Sequence, residues 1–181
     1  MSESNISIII LNYNGWKDTI ECLESVLKIK YPTYSIILVD NNSTDNSVEK
    51  IHKWASGKLN AHVSNNETIK KCVLPYIDKP IKINCLDYLS NTEEFVYNQK
   101  IQKINNSQIV LIHSDKNLGY AGGNNIALKY SLKYKSADYF WILNNDVVVD
   151  PDALSALKKK LHNSTHDGMC GSTLLFYHNP K

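Results

Sequence analysis

Asn144-Asn145-Asp146 follows directly on Tyr139-Phe140-Trp141-Ile142-Leu143, so five apolar residues end abruptly in two amides and a carboxylate. A run of this kind reads as a buried strand whose C-terminal end presents polar groups at a sheet edge, where open α/β folds place their ligands. A carboxylate there suits magnesium or manganese. Such ions favour oxygen ligands and commonly take only one or two protein carboxylates, leaving the rest of the shell to phosphate and water. The chemistry to which Asp146 points is therefore metal-assisted binding of a nucleotide.

Three other apolar runs end in polar groups: Asn12-Tyr13-Asn14 after Ile8-Ile9-Ile10-Leu11, Asp40 after Ile36-Ile37-Leu38-Val39, and Asp115-Lys116-Asn117 after Ile109-Val110-Leu111-Ile112. In parallel strands of one sheet all these ends lie on one edge and can form a single cleft. Asp40 can accept from a base N–H or a ribose hydroxyl, and Tyr13 can offer a flat face to a base. Each has a plainer reading as well: Asp40 and Asp146 suit turns, and Tyr13 suits a half-buried strand end. Their conjunction is what favours a cleft. The loop Asn117-Leu118-Gly119-Tyr120-Ala121-Gly122-Gly123-Asn124-Asn125 adds glycines that allow close backbone approach before a helix whose free N–H groups suit an anion. It has neither GxGxxG nor the Gly-Lys-Ser/Thr ending of a P-loop, and a tight turn with a helix cap competes with a phosphate or sugar site.

The elements that must position these groups alternate. Strands are expected at Ile6 to Leu11, Tyr34 to Val39, Ile109 to Ile112, Tyr139 to Leu143 and Met169 to Tyr177. Helices are expected at Trp16 to about Lys30, around Val48, Ile51 and Trp54, at Asn124 to Tyr134, and at Pro151 to about Leu161, where Asp150-Pro151-Asp152 supplies a start signal. Alternation of this kind makes an α/β fold with an open, mostly parallel sheet. The stretch from 58 to 108 is rich in Asn and Lys, keeps no sustained period, and reads as an atypical insertion, partly ordered and partly loop.

At 181 residues the chain reads as one domain, 1–181, and a formal charge of +2 does not favour nucleic acid as a partner. Cys22, Cys72, Cys85 and Cys170 form no CxxC pair, so buried free thiols are expected rather than a zinc site or disulfides. Ile8 to Leu11 is too short for a signal segment or a membrane span, and a cytoplasmic location is expected. Lys158-Lys159-Lys160 suits a solvated helix face better than a lipid patch, although peripheral contact with the inner face of the membrane is kept open.

Taken together, Ile8 to Gly15, Val39 to Asp45, Asn117 to Asn125 and Leu143 to Asp146 resemble, in order, the successive motifs of family 2 glycosyltransferases, nearest to the rhamnosyltransferase-like branch. The resemblance covers about residues 5–57 and 109–178. It implies a GT-A fold, a Rossmann-like sheet with helices on both faces. It also implies a nucleotide-diphospho-sugar donor, a Mg2+ or Mn2+ ion, inversion at the anomeric carbon, and a glycan or lipid-linked acceptor of the kind used in cell-surface polysaccharide biosynthesis. By match to the motifs, Leu11, Tyr13 and Asp40 would contact the nucleoside. Asn117, Gly119, Gly123 and Asn125 would line the donor site, Asn144 would bind substrate, and Asp146 would hold the metal.

Two departures from the pattern matter. The first acid of the usual Asp-x-Asp is Asn144, a neutral amide, which lowers the expected metal affinity. The carboxylate that would deprotonate an acceptor is not identifiable, Asp167 reading as a turn residue, so the chain is expected to be the donor-binding portion of a longer transferase, truncated on its acceptor side. A noncatalytic nucleotide-sugar-binding module is the main alternative. A nucleotidyltransferase is less favoured, because Asn12-Tyr13-Asn14-Gly15 lacks the basic residue that a triphosphate would want after the first strand.

Overall fold

The computed structural model describes residues 4–97, 109–134, 137–164 and 166–177. Within them the strands are β1 (Ile6–Asn12), β2 (Tyr34–Asp40), β3 (Ile83–Leu89), β4 (Glu94–Tyr97), β5 (Ile109–Ser114) and β6 (Tyr139–Asn144), and the helices are α1 (Trp16–Val26), α2 (Ser47–Ala55), α3 (Glu67–Val73), α4 (Gly119–Tyr134) and α5 (Ala153–His162). The six strands form one sheet in the order β4-β3-β5-β2-β1-β6, parallel except for the antiparallel β3–β4 pair.

Continuous apolar runs make central strands because both faces are covered. Ile8, Ile10, Ile36 and Leu38 face α1, α2 and α5 through Leu23, Ile51, Trp54 and Leu154. Ile9, Ile37, Val39, Val110 and Ile112 face α4 through Ile126, Ala127 and Tyr130. Complete burial of each such side chain contributes about 2 kcal/mol. The two-layer coat of helices is the α/β architecture that the alternation predicts.

Several expectations change. The Tyr139 strand is expected to be buried but is the edge of the sheet: Tyr139, Trp141 and Leu143 pack inward, while Phe140 and Ile142 are 37% and 45% exposed. A short apolar run looks the same in the middle of a sheet and at its rim, because periodicity does not report neighbours. Met169 to Tyr177 forms no strand. Only Phe176 makes a single bridge, and Met169, Leu174 and Phe176 stay more than 80% exposed; a strand needs a hydrogen-bonded ladder, and none of the described strand pairings involves this segment. The stretch from 58 to 97 supplies α3 and two strands, and β3 lies between β4 and β5 with Ile83 in register with Ile109; residues 98–108 lie outside the described residues. Helix α4 starts at Gly119, so Gly122 and Gly123 lie inside its first turns. A Cβ at Gly123 would collide with the Leu11 side chain, and close packing of α4 on β1 explains that glycine.

The helix expected to reach Lys30 stops at Val26, where the chain tightens into the bonds Lys28 N to Ser25 O and Ile29 N to Val26 O. All four cysteines are free, as expected, but only Cys22 is fully buried; Cys72, Cys85 and Cys170 are half-buried.

Candidate functional site

Parallel register brings the strand ends together. Asn12 is level with Asp40, Asp40 with His113, and Leu11 with Asn144. Successive side chains of a strand point to opposite faces, so Leu11 and Asn41 flank the α4 side while Asn12 and Asp40 turn to the α1 side. That parity divides the polar residues into a floor and a wall.

The floor is a closed hydrogen-bond network. Asp40 has no solvent exposure; its Oδ1 accepts from Asn12 Nδ2 at 2.7 Å and its Oδ2 from the Ser43 backbone N–H at 3.0 Å. Asn12 Oδ1 accepts from Thr19 Oγ1 at 2.7 Å, and Ser43 Oγ accepts from both Asn12 Nδ2 and the Asn14 N–H, at 3.0 and 2.9 Å. Asn14 sits in the left-handed region at φ 51° and its Oδ1 accepts from the Thr44 N–H at 2.7 Å. The loops after β1 and β2 are thus tied together beneath Tyr13, which is itself 49% exposed.

The wall lies on the other side. A cleft of about 400 Å3 is bounded by Leu11 and Tyr13 from β1 and its loop, Asn41 after β2, Asn117, Gly119 and Tyr120 at the start of α4, and Asn144, Asn145 and Asp146 after Leu143. Asn41, only 2% exposed, fastens two of these pieces: its Nδ2 donates to Asn117 Oδ1 at 2.9 Å and Gly119 O at 3.2 Å, and its Oδ1 accepts from the Leu118 N–H at 3.0 Å. Tyr120 crosses the opening, its hydroxyl donating to Asn144 Oδ1 at 3.0 Å. Asn145 turns away, donating to Thr19 Oγ1 at 3.0 Å and pinning the end of β6 to α1.

Of the residues singled out in the sequence, Leu11, Tyr13, Asn117, Gly119, Asn144 and Asp146 therefore meet around one cleft. Three do not line it. Asp40 lies in the floor, Gly123 is buried against Leu11, and Asn125 is exposed on α4. Asn41, Tyr120 and Asn145 are the residues the sequence reading missed. Strand parity would have found Asn41, since it lies two residues beyond Val39, on the same face as Leu11.

Among the described residues Asp146 is the only carboxylate on the cleft wall. Among the described residues no group of three or more His, Cys, Asp or Glu could enclose a metal. The donor set fits a hard divalent ion that takes one protein carboxylate and draws its other oxygens from a diphosphate and water. Below the wall, Cys22 Sγ lies 3.9 Å from Asn144 O, and burial, reinforced by the charges of Asp146 and Glu21, pushes its thiol up from 9.0 to about 12. The unfolded thiol ionises first, so the stability this thiol contributes is complete below pH 9.0 and is lost as pH rises toward about 12. A Cys22→Ala variant is expected to show a shallower fall in stability over that range, read by urea unfolding at successive pH values.

The family model for "Glycosyl transferase family 2" matches residues 7–70 and 67–181. The chain belongs to glycosyl transferase family 2. It is 50% identical over 44 residues to Glycosyltransferase GlyG of Streptococcus pneumoniae serotype 4, a match spanning 24% of this chain and 15% of that protein. Among solved structures it is similar to the mannosyltransferase PcManGT from Pyrobaculum calidifontis in complex with GDP-Man and Mn2+, with 16% identity, a TM-score of 0.57, and coverage of 91% of this chain and 34% of that one. TarS of S. aureus is a weaker likeness, at 15% identity and a TM-score of 0.48, covering 87% of this chain and 20% of that protein. The family 2 chain thus spans about a third of the mannosyltransferase whose GT-A fold it shares.

Proposed function

We propose that this family 2 chain carries the donor site of an inverting, metal-assisted glycosyltransferase that takes a nucleotide-diphospho-sugar and serves a glycan or lipid-linked acceptor. The observation that carries the proposal is the position of Asp146, one carboxylate just beyond the end of β6 on a cleft that Tyr13 also lines. Tyr13 supplies a flat face for a base, Leu11 an apolar wall, and the Asn117–Gly119 turn, held by Asn41, lines the donor. Asp146 would hold Mg2+ or Mn2+, which supplies Lewis-acid stabilisation of the diphosphate as it leaves. That PcManGT is described with GDP-Man and Mn2+ supports a donor and a metal of this class.

No second carboxylate lines the cleft among the described residues, so none of the cleft residues is placed to deprotonate an acceptor. Asp167 lines a separate groove with Lys159, Lys160 and Ser164. That observation favours, as a second reading, donor binding without turnover by this chain alone. Among the described residues no helix is long and apolar enough to cross a membrane. Of the three lysines on α5, Lys158 already covers the Tyr139 ring at 4.5 Å, which leaves Lys159 and Lys160 as the basic pair for any contact with anionic lipid at the inner face of the membrane.

Calorimetric titration of UDP, GDP and dTDP, with and without manganese, tests the donor site. Manganese is expected to tighten the preferred nucleotide about tenfold for wild type and to have little effect on Asp146→Ala. Equal affinity in all four conditions would remove the metal role of Asp146. Sugar transfer assayed with this chain and the preferred donor separates a transferase from a binding module.

A further inference from the structure

Asn144 occupies the corner of the cleft where a second acid would have doubled the negative charge beside Asp146, and its amide has two chemically different ends. The Tyr120 hydroxyl donates to Oδ1 at 3.0 Å, while Nδ2 has no protein partner among the described residues. Tyr120 is itself held from both sides. Its carbonyl accepts from Asn124 Nδ2 at 3.0 Å, and the turn that carries it is fastened by Asn41 to Leu118 N and Gly119 O. Asn124 is 5% exposed, so this support is rigid although Tyr120 is 60% exposed.

We propose that Tyr120 is a positioning residue that occupies the carbonyl end of Asn144 and leaves its NH2 to donate to a diphosphate oxygen of the bound nucleotide. This deepens, and rests on, the nucleotide-sugar reading of the cleft. An aspartate at 144 would meet the diphosphate with an acceptor and would need a cation between them. The fixed amide meets it with a donor, and a hydrogen bond to a charged oxygen is stronger than one between neutral groups. Diphosphate binding in this chain therefore leans on Asn144 as well as on the metal. Without Tyr120 the amide is free to turn its oxygen toward the phosphates.

The test compares the tightest-binding of UDP, GDP and dTDP with its nucleoside, by calorimetry and NMR titration, on wild type, Tyr120→Phe, Asn144→Ala and the double variant, with thermal unfolding as a folding check. Tyr120→Phe is expected to weaken the diphosphate about tenfold and the nucleoside less than twofold. Asn144→Ala should show the same selective loss, and the double variant no further loss, because the tyrosine acts through the amide. Asn144→Asp is expected to bind the diphosphate poorly without manganese and to recover with it. Unchanged diphosphate affinity in Tyr120→Phe, equal weakening of the nucleoside, or additive losses in the double variant would overturn the role of Tyr120 while leaving the donor site standing. If wild type binds none of the three diphosphates even with manganese, the donor site and this role fall together. Should Tyr120→Phe fail to fold, Asn144→Ala alone decides: a loss confined to the diphosphate upholds the NH2 contact, and no loss removes it.

Discussion

Glu24→Ala is expected to cost the fold about 4 kcal/mol, read as a shift of the urea midpoint at unchanged m-value. Glu24 lies on α1 with no solvent exposure, and its carboxyl group takes three donors: Trp54 Nε1 at 2.7 Å, the Ile77 N–H at 2.8 Å and Lys79 Nζ at 2.7 Å. Those donors come from α2 and from the segment between α3 and β3, so one side chain joins three parts of the molecule. Removing it strands a buried indole N–H, a backbone N–H and an ammonium whose side chain is only 15% exposed. Each orphaned donor costs about 1–3 kcal/mol, and the cation adds to that. Part of the cost is recovered because Lys79 can still sit 4.3 Å over the Trp54 ring. Glu24→Gln keeps the volume and one acceptor oxygen and should lose about half as much. Hydrogen exchange should accelerate first at Ile77 and Ile81. A midpoint within error of wild type for Glu24→Ala would show that the segment is held by its apolar contacts alone.

The second large effect falls on Asp40→Asn, expected to cost about 2–3 kcal/mol and to weaken nucleotide binding with it. Both carboxyl oxygens of Asp40 face donors, Asn12 Nδ2 and the Ser43 N–H, so an amide in its place must set an NH2 against one of them. The loss spreads from there. Ser43 also holds the Asn14 N–H, and Asn14 holds Thr44, so the loop bearing Tyr13 loses its anchor. His113 Nε2, 3.9 Å from Asp40 Oδ2, is too distant to take the place of either bond. Unfolding and nucleotide titration on the same preparation separate two roles. A contact residue would lose affinity at unchanged stability, whereas a residue that positions the floor loses both. Affinity lost without any change in midpoint would return Asp40 to the nucleoside contact that its motif suggests.

Asp40 and Asn41 show where sequence reading stops. The run Val39-Asp40-Asn41-Asn42 announces a strand end carrying polar groups, and the end is where it announces it. Which of two adjacent polar residues meets a ligand is set by which face of the sheet the cleft occupies, and that depends on where α4 lies. The opposite case is Asp146: a lone acid after an apolar run needs no neighbour to be noticed, and the structure seats it on the cleft wall. Tyr120 carries no local signal, because its hydroxyl meets a residue 24 positions away.

Alone, the amino-acid sequence determined the alternating α/β pattern, the extents of β1, β2, β5 and β6 to within a residue or two, and the polar character of their C-terminal ends, because burial on two faces demands continuous apolar runs and water demands polar residues where they stop. The tertiary structure decided the rest: that β6 lies at the edge, that β3 enters the sheet beside β5, that Asp40 is floor while Asn41 is wall, and that Tyr120 locks Asn144. Strand order and register arise from pairings between distant residues, whose free energies are shared among many contacts and leave no periodic trace in any one segment.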